Sequence, residues 1–340
     1  MSEHNTFAPQ EVSTAAYRMV ESRSKETNPG IKTGIEELDR YLNPHRPGEL
    51  RVVLGYTSNY KSGLMNFIAR NAARELMKRE DYGNRAVITV TWEQSVEEQG
   101  IVDISQLAVL DVTKMMRGEL TETDWWKLKK AAIDRGCLPW WLVGHSSETQ
   151  VRRPRLGLTD LAKAIEYIID VQKITPELIV LDYLQRIRRE GNNSNEARLQ
   201  FMEMIDRCKD MALAYHVPVM LGSQAKRSIK ERAWRMPNLD DGQECSNQEQ
   251  SADSMLSVWM PKQDYPLNHQ IEYGELNLVV TPNLLMLGIL KQRFGVAPKI
   301  IQLHVQPEIN EIHAIDTRSP MSPEDKQKLS GTERTDYVRE

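Results

Sequence analysis

The sequence is poor in cysteine: its 340 residues include three, Cys137, Cys208 and Cys245. Their spacing fits no metal-binding motif and an odd number cannot all pair, so we expect reduced thiols rather than a disulfide framework. The chain also lacks an apolar run of about 18 residues, the length that spans a membrane, and its first residues contain no signal-peptide core. These absences predict a cytoplasmic protein without a membrane segment.

A strong net charge is also missing. The formal net charge is -4, which by itself neither predicts nor excludes a nucleic-acid partner, because only local clusters decide that. We find no internal repeat and no low-complexity tract. Hydrophobic residues make up 40% of the chain and charged residues 27%, as in a globular protein with an extensive core. The length allows one large α/β domain or two small ones.

A short apolar strand, a small polar loop and a helical pattern follow one another over residues 51–78. This order suits a nucleoside triphosphate, because loop amides and a helix N-terminus present positive ends to phosphate oxygens. In this arrangement Lys61 reaches the β and γ phosphates and the Ser62 hydroxyl holds Mg²⁺. The candidate nucleotide-binding residues are Gly55, Tyr56, Thr57, Ser58, Asn59, Tyr60, Lys61, Ser62 and Gly63. An ordinary strand-to-helix turn with a surface lysine is the alternative.

Tyr60 stands where the phosphate-loop pattern G-x-x-x-x-G-K-[ST] has its second glycine. Glycine permits backbone angles and a close approach to phosphate that other residues resist. We expect a tyrosine to be tolerated here if φ is negative and its ring points outward. The opposite outcome is a loop that hydrolyses ATP slowly or not at all.

Strands alternate with helices along most of the chain, which predicts an α/β fold with a doubly wound, mainly parallel sheet. The predicted strands lie near 50–54, 85–92, 138–143, 178–184 and 217–224, and the main predicted helices lie at 12–24, 33–39, 61–78, 95–109, 121–135, 159–172 and 197–215. After residues 254–260 the pattern changes. Shorter strands at 276–280, 284–290, 299–305 and 311–315 predict an antiparallel extension of the sheet edge. We divide the chain into an N-terminal arm with a short helix (1–29), the ATPase domain (30–318) and a polar, disordered tail (319–340).

Four polar residues fall at predicted strand ends, where ligands bind in open α/β sheets: Lys61, Glu93, Asp182 and Gln224. Asp182 closes an apolar run and would be costly to bury unless paired or metal-bound, so we expect it to hold Mg²⁺ together with Ser62. Glu93 is the candidate base that polarises the attacking water. Gln224 is expected to bond the γ phosphate or that water. Any one of these residues alone would be interpreted as a polar side chain that simply faces solvent at the end of a strand.

Positive charge gathers in two loops that follow Asp182 and Gln224. Such loops beside a nucleotide site suit phosphate-backbone binding without base readout, and solvated charge runs are the alternative. The candidate DNA-binding residues are Arg186, Arg188, Arg189, Lys226, Arg227, Lys230 and Arg232. Farther along, Lys291 and Arg293 follow an apolar strand on one face, so we expect both to reach one phosphate as a finger from a neighbouring subunit.

Several of these segments, in this order, resemble the RecA-type motor domain of DnaB-type hexameric replicative helicases. The similar segments are Gly30-Ile-Lys-Thr-Gly-Ile-Glu-Glu-Leu-Asp39, Trp92-Glu-Gln-Ser95, Leu178-Ile-Val-Leu-Asp-Tyr-Leu-Gln185, Gly222-Ser-Gln224, Glu249-Gln-Ser-Ala-Asp253 and Lys291-Gln-Arg-Phe-Gly295. The resemblance implies a RecA-like P-loop core, ATP with Mg²⁺, and a ring, expected to be a hexamer. It also implies single-stranded DNA as substrate and a loader or other replication proteins as partners.

The sequence departs from this family in three places. Only about thirty residues precede the motor domain, and these leave no room for the family's N-terminal collar. The missing collar favours an accessory or mobile-element role. Helix 12–24 would be the linker helix that docks on the adjacent subunit. Gln243 stands where the family usually has an arginine. Tyr60 is the third departure. Together they leave an alternative open, a nucleotide-dependent DNA-binding assembly factor with little or no ATP hydrolysis. A RecA-like or circadian-clock-like ATPase fits the spacing less well.

Overall fold

The computed structural model of the chain describes residues 8–25, 30–80, 82–148, 156–188, 197–242, 248–274 and 276–315. Within them the α-helices are α1 (Pro9–Lys25), α2 (Glu36–Asp39), α3 (Lys61–Met77), α4 (Val96–Ala108), α5 (Val112–Arg117), α6 (Glu122–Cys137), α7 (Leu158–Asp170), α8 (Ala197–Ala214) and α9 (Gln248–Ser251). The strands are β1 (Leu50–Gly55), β2 (Arg85–Thr91), β3 (Trp140–Val143), β4 (Thr175–Asp182), β5 (Val219–Gln224), β6 (Ser254–Trp259), β7 (Gln270–Tyr273), β8 (Leu276–Val279), β9 (Leu284–Gln292), β10 (Lys299–Gln306) and β11 (Glu311–Ala314).

A nine-stranded sheet runs through these described residues in the order β11-β10-β9-β6-β1-β5-β4-β2-β3. The strands from β6 to β3 are parallel, whereas β9, β10 and β11 continue the sheet in antiparallel register. The expected doubly wound, mainly parallel sheet with antiparallel edge strands is therefore confirmed. Because β1, β5, β4 and β2 are neighbours, their carboxyl ends meet at one edge of the sheet.

Helices cover the parallel strands on both faces, which explains why the strands read as continuous apolar runs. Successive residues of a strand point to opposite faces: Val87 packs in the core beneath α3, and Ile88 packs in the core beneath α7 and α8. On the second face α7 contributes Leu161 and Ile165, both fully buried. Burying each side chain of this size stabilises the fold by about 1.5–3 kcal/mol.

The segment 276–280 was predicted to extend the sheet edge, and this prediction is wrong. Its residues form β8, which pairs with β7 in a separate two-stranded antiparallel sheet. Because only two residues separate β7 from β8 in the sequence, the two strands pair at little entropic cost. Ile271 and Leu278 bury their side chains in one cluster with Trp234. β7 itself was missed, although the alternation in Gln270-Ile-Glu-Tyr273 is a strand signal. α5 was missed too, despite an Asp111 cap at its start and Gly118 at its end.

Helix α1 has no buried residue, and its apolar side chains Val12, Tyr17, Met19 and Val20 are exposed. No helix in the described part of the chain is long and apolar enough to cross a membrane. The boundaries at 29 and 318 stay predictions. The predicted tail at 319–340 lies outside the described residues, and so does Gln243.

A buried histidine makes the fold sensitive to mild acid. His45 lies in the segment before β1, with its Nε2 3.0 Å from the Glu49 carbonyl oxygen that accepts its hydrogen bond. Burial, and then the charge of Arg51, lower the pKa of His45 well below its ordinary value of 6.5. Below that value the unfolded chain binds a proton that the folded chain refuses, so the free energy of unfolding falls as the pH falls.

We therefore expect the free energy of unfolding to drop from pH 7.5 towards pH 5, with His45 contributing up to about 1.4 kcal/mol per pH unit below its unfolded pKa. Urea titrations at several pH values measure this slope. The variant His45→Gln should flatten it, whereas His145→Gln, at an exposed position, should leave it unchanged. A His45→Gln slope equal to that of the wild type would contradict the assignment.

Candidate active site

The loop between β1 and α3 is fixed to the neighbouring strand β6. β1 ends at Gly55, where an added Cβ would lie 2.8 Å from the Val258 side chain, so the loop leaves the sheet where only glycine fits. Within the loop, the buried Asn59 side chain accepts a hydrogen bond from the Met260 amide at 2.8 Å and donates one to the Thr57 carbonyl at 3.2 Å. These bonds fix the loop just before the N-terminus of α3, where the first backbone amides have no hydrogen-bond partner within the helix.

Tyr60 meets neither of the two conditions under which a tyrosine was expected to be tolerated here. Its φ is 66° and its ψ is 22°, in the left-handed region, and its ring points inward rather than outward. The ring covers Gly63, where an added Cβ would lie 2.6 Å from ring carbons, and the hydroxyl donates to Asn310 Oδ1 at 2.6 Å. Burial raises the pKa of Tyr60, which keeps the hydroxyl protonated. The loop therefore keeps the backbone conformation natural to glycine, at a cost of roughly 1–2 kcal/mol that the ring contacts offset.

Lys61 and Asp182 come together at the carboxyl edge of the sheet. The Lys61 ammonium lies 3.9 Å from Asp182 Oδ1 and 3.7 Å from the centre of the Tyr183 ring. Their side chains are 9% and 16% exposed. Burial lowers the pKa of Lys61, while the charges of Asp182 and Glu93 oppose that shift. A largely desolvated ammonium beside acids is suited to bind an anionic phosphate strongly.

The residues expected to hold Mg²⁺ fit that ion. Asp182 Oδ1 is buried and has no hydrogen-bond partner, so it is available as an oxygen ligand. Ser62 follows Lys61 in the first turn of α3 and is half-buried. Mg²⁺ in nucleotide sites takes one or two protein oxygens and completes its shell with phosphate and water. Ser62 and Asp182 would supply those protein oxygens.

Glu93 follows β2, the strand next to β4. Its Oε1 lies 3.4 Å from Arg186, and both side chains are substantially exposed. Arg186, a predicted DNA contact, thus lies beside the candidate base, and its contact with DNA stays a prediction. The negative charge of Glu93 opposes the lowering of the pKa of Lys61 by burial, and Glu93 follows the strand next to β4, which ends at Asp182. This position at the same edge of the sheet suits a residue that polarises a water.

Gln224, the last residue of β5, joins the strand edge to the phosphate loop. Its side-chain amide donates to the Thr57 hydroxyl at 2.7 Å, and its backbone amide donates to Gln185 Oε1 at 3.1 Å. Gln185 was given no role from the sequence, although it lies three residues after Asp182. The same holds for Asn310, since no sequence signal pairs it with Tyr60, 250 positions earlier.

Lys291 and Arg293 lie on the other side of β6 from β1 and contact the segment before β6 rather than the phosphate loop of their own chain. The Lys291 ammonium donates to the carbonyl oxygens of Glu249 and Ala252. Arg293 pairs with Asp253 Oδ1 at 3.2 Å and is 60% exposed. These contacts lie within one chain, and the expectation that both residues reach one phosphate of a neighbouring subunit stays a prediction. Arg293 has the exposure that a finger needs.

The carboxylate of Asp253 serves several partners at once. Its Oδ2 accepts hydrogen bonds from the Leu50 amide at 2.8 Å and from the Lys209 ammonium at 2.7 Å, while Oδ1 faces Arg293. This buried acid thus connects the first residue of β1 to α8 and to the loop after β9.

Most of the predicted DNA-contacting side chains are engaged within the chain. Arg188 pairs with Asp160 at 2.7 Å and Arg232 with Asp241 at 2.5 Å. The other engaged residues are Lys226, which donates to the Asp240 carbonyl, and Lys230, which lies over the Tyr56 ring and 3.9 Å from Asp264. Arg227 is exposed and has no hydrogen-bond or ion-pair partner among the described residues. Arg189 lies outside them.

A model of the DnaB-like helicase C-terminal domain family matches residues 30–313. The replicative DNA helicase DnaB of Geobacillus stearothermophilus is 25% identical over 292 residues, which cover 85% of this chain and 57% of that protein. A probable replicative DNA helicase of Trieres chinensis is 25% identical over 245 residues, 71% of this chain and 50% of that one. The chain spans about half the length of these curated relatives.

Solved structures give the same fold. One of them, an isolated ATPase domain, superposes with a TM-score of 0.74 at 18% identity, covering 92% of this chain and 100% of that one. A DnaB-like replicative helicase, solved in a study of its interactions with primase, superposes with a TM-score of 0.72 at 18% identity, covering 92% of this chain and 68% of that one. The RecA-like core expected from the motifs is confirmed. With the family match across nearly all of the described sheet, the chain belongs to the family of DnaB-like helicase C-terminal domains.

Proposed function

We propose that this chain is an ATP-driven motor that assembles into a ring, expected to be a hexamer, and moves along single-stranded DNA. The observation that carries the proposal is the meeting of Lys61 and Asp182 at 3.9 Å, in a chain of the DnaB-like family. These residues lie about 120 positions apart in the sequence, and a nucleotide site explains why a buried ammonium and an unsatisfied carboxylate oxygen converge on the phosphate loop.

In the proposed hydrolysis each side chain of the site has a separate role. Lys61 and the first amides of α3 bind the β and γ phosphates and spread the charge that develops during transfer. Bound Mg²⁺, held by Ser62 and Asp182, supplies further charge neutralisation. Glu93 accepts a proton from the water that attacks the γ phosphorus. Gln224, bonded to Thr57 in the loop, is placed to respond when the γ phosphate leaves.

The proposed ring places Arg293 of one copy at the phosphates of the next. An arginine supplied in trans stabilises transition-state charge and makes hydrolysis depend on assembly. The exposed apolar side chains of α1, such as Val12 and Val20, support a contact with a neighbouring copy, because no described part of their own chain covers them. Trp126 and Ile133, seven residues apart on α6, are an exposed apolar pair that could receive such a helix.

DNA is proposed to contact the two loops that follow β4 and β5. Arg227 carries this assignment, because it is exposed and unpaired among the residues described, whereas Arg188 and Arg232 must leave Asp160 and Asp241 before they bind phosphate. The family relationship supports single-stranded DNA as the proposed substrate. The accessory or mobile-element role, replication proteins as partners and a cytoplasmic location stay predictions.

We expect Arg227→Gln to weaken binding of a single-stranded oligonucleotide and to lower the slope of log affinity against log salt by about 0.7, the value for one phosphate contact. Fluorescence anisotropy at several salt concentrations measures this slope. The matched control is Lys173→Gln, at an exposed position just before β4 and so at the opposite edge of the sheet. Equal slopes for wild type and Arg227→Gln would place the DNA elsewhere.

A combined measurement tests the proposal against the alternative of an assembly factor with little or no hydrolysis. Phosphate release is followed with and without single-stranded DNA, and sedimentation velocity follows ring formation with ATP and Mg²⁺. The motor predicts rings and DNA-stimulated turnover, whereas the assembly factor predicts rings with negligible phosphate release. The left-handed backbone at Tyr60 supports nucleotide binding under either hypothesis, since the loop keeps the conformation that phosphate binding requires, so the rate of phosphate release decides between them. A chain that stays single and ignores nucleotide contradicts both.

A further inference from the structure

The phosphate loop of this chain is tied to a distant turn by a side chain that its motif does not call for. Tyr60 occupies the last position of the loop with left-handed backbone angles, a conformation that is unfavourable for most residues other than glycine. Its ring lies against Gly63 in the first turn of α3, and its hydroxyl donates to Asn310 at 2.6 Å. The ring and the hydroxyl therefore restrain the loop on two sides.

The turn that receives Tyr60 is itself bound to α3. Asn310 is 3% exposed, has a φ of 49° and follows the 3₁₀ helix Pro307–Ile309. Its carbonyl oxygen accepts a hydrogen bond from Arg70 of α3 at 2.9 Å, and the next residue, Glu311, lies 3.4 Å from Arg70 and accepts one from Gln106 of α4 at 2.7 Å. Tyr60 at the start of α3 and Arg70 farther along it thus hold the same buried turn. The turn cannot move away without breaking both contacts.

Glycine at position 60 would reach the same backbone conformation without strain, but nothing would hold it there. A ligand that needs this conformation would then have to order the loop itself, which lowers its affinity. A loop ordered in advance spares the ligand that cost.

We propose that Tyr60 is a positioning residue, which with Asn310 keeps the phosphate loop in its nucleotide-accepting conformation before nucleotide arrives. The inference rests on the proposed nucleotide site and adds to it a side chain that sets nucleotide affinity rather than the rate of hydrolysis. The opposite hypothesis, in which Tyr60 merely obstructs a damaged loop, predicts the reverse: glycine at this position would restore binding.

The test is the dissociation constant of N-methylanthraniloyl-ADP with Mg²⁺, measured by fluorescence titration. Tyr60→Gly is expected to raise it about tenfold, since the ring and the hydroxyl are both lost. Tyr60→Phe keeps the ring and is expected to raise it about fivefold through loss of the hydrogen bond. Asn310→Gly, which tolerates the positive φ, should match Tyr60→Phe, and the double variant should add little, because both remove one contact.

Two further readouts separate positioning from a general structural role. With saturating ATP, the kcat of Tyr60→Phe should stay within about twofold of the wild type while KM rises, as expected for a residue that affects binding alone. The matched control is Tyr167→Phe on α7, which removes a tyrosine hydroxyl that accepts a hydrogen bond from Gln172 and should leave the dissociation constant unchanged. Thermal unfolding of each variant checks the fold.

If the wild type binds the nucleotide and Tyr60→Gly binds it as tightly or more tightly, the inference is overturned and the proposed function stands. The inference is also overturned if Tyr60→Phe and Asn310→Gly raise the dissociation constant by different factors and the double variant raises it by the product of the two. The two side chains would then act separately. A wild type that binds no nucleotide overturns the proposed function together with the inference.

Discussion

Replacing Lys61 with methionine is expected to lower the kcat for ATP hydrolysis by about a hundredfold or more, the usual effect of removing one group that stabilises developing charge. The ammonium is largely buried and lies beside Asp182 and the Tyr183 ring, so its charge acts in a site from which water is mostly excluded. Methionine keeps an unbranched chain against the ring and removes only the charge. Phosphate release under saturating ATP measures the effect, and nucleotide titration measures the accompanying loss of affinity.

The matched control is Lys78→Met, at the C-terminal end of the same helix. Lys78 is 69% exposed and pairs with Glu75, a surface contact worth about 0.3–0.5 kcal/mol that does not bear on the phosphate loop. Its kcat should equal that of the wild type. If Lys61→Met keeps more than half of the wild-type rate, the candidate site is wrong, whatever the rate of the control.

A second large effect is expected at Glu93. Glu93→Gln should lower kcat by about 10²–10⁴-fold, the contribution typical of a general base, because the amide cannot accept a proton from the attacking water. The dissociation constant of the nucleotide should change little, since Glu93 follows β2 and is proposed to contact the water rather than the phosphates. Single-turnover phosphate release separates the chemical step from product release.

Two variants make this result specific. Glu272→Gln, at an exposed position in β7, repeats the substitution away from the site and should leave the rate unchanged. Arg186→Gln removes the side chain that lies 3.4 Å from Glu93 and shows whether that ion pair orients the base. A Glu93→Gln variant whose affinity for nucleotide falls as steeply as its rate would argue that Glu93 positions the loop and does not act as a base.

The sheet and the centre of the site could be predicted because both depend on local patterns. Apolar runs that end in Asp182 or Gln224 are strand signals, and parallel neighbours bring such ends to one edge. The hairpin of β7 and β8 was misplaced because a short run such as 276–280 shows the same alternation whether it pairs with the main sheet or with its neighbour in sequence.

The contacts that the sequence could not reveal join residues that lie far apart along the chain. A tyrosine at position 60 was expected to be tolerated if its ring pointed outward, but its hydroxyl meets Asn310, 250 residues on. Arg186 pairs with Glu93 across 93 positions and Arg188 with Asp160 across 28, so charges that looked free for DNA are already engaged. Contacts between residues so far apart in sequence produce no periodic pattern, so only the folded structure reveals them.

The buried carboxylate of Asp253 has a consequence for communication around the proposed ring. It contacts the first residue of the strand that leads to its own phosphate loop and, through its other oxygen, the arginine offered to the adjoining copy. In the proposed ring, a displacement of Arg293 when a neighbour's phosphate leaves would act on Asp253. Through its contact with the first residue of β1, Asp253 would transmit that displacement to the loop proposed to bind this copy's own nucleotide.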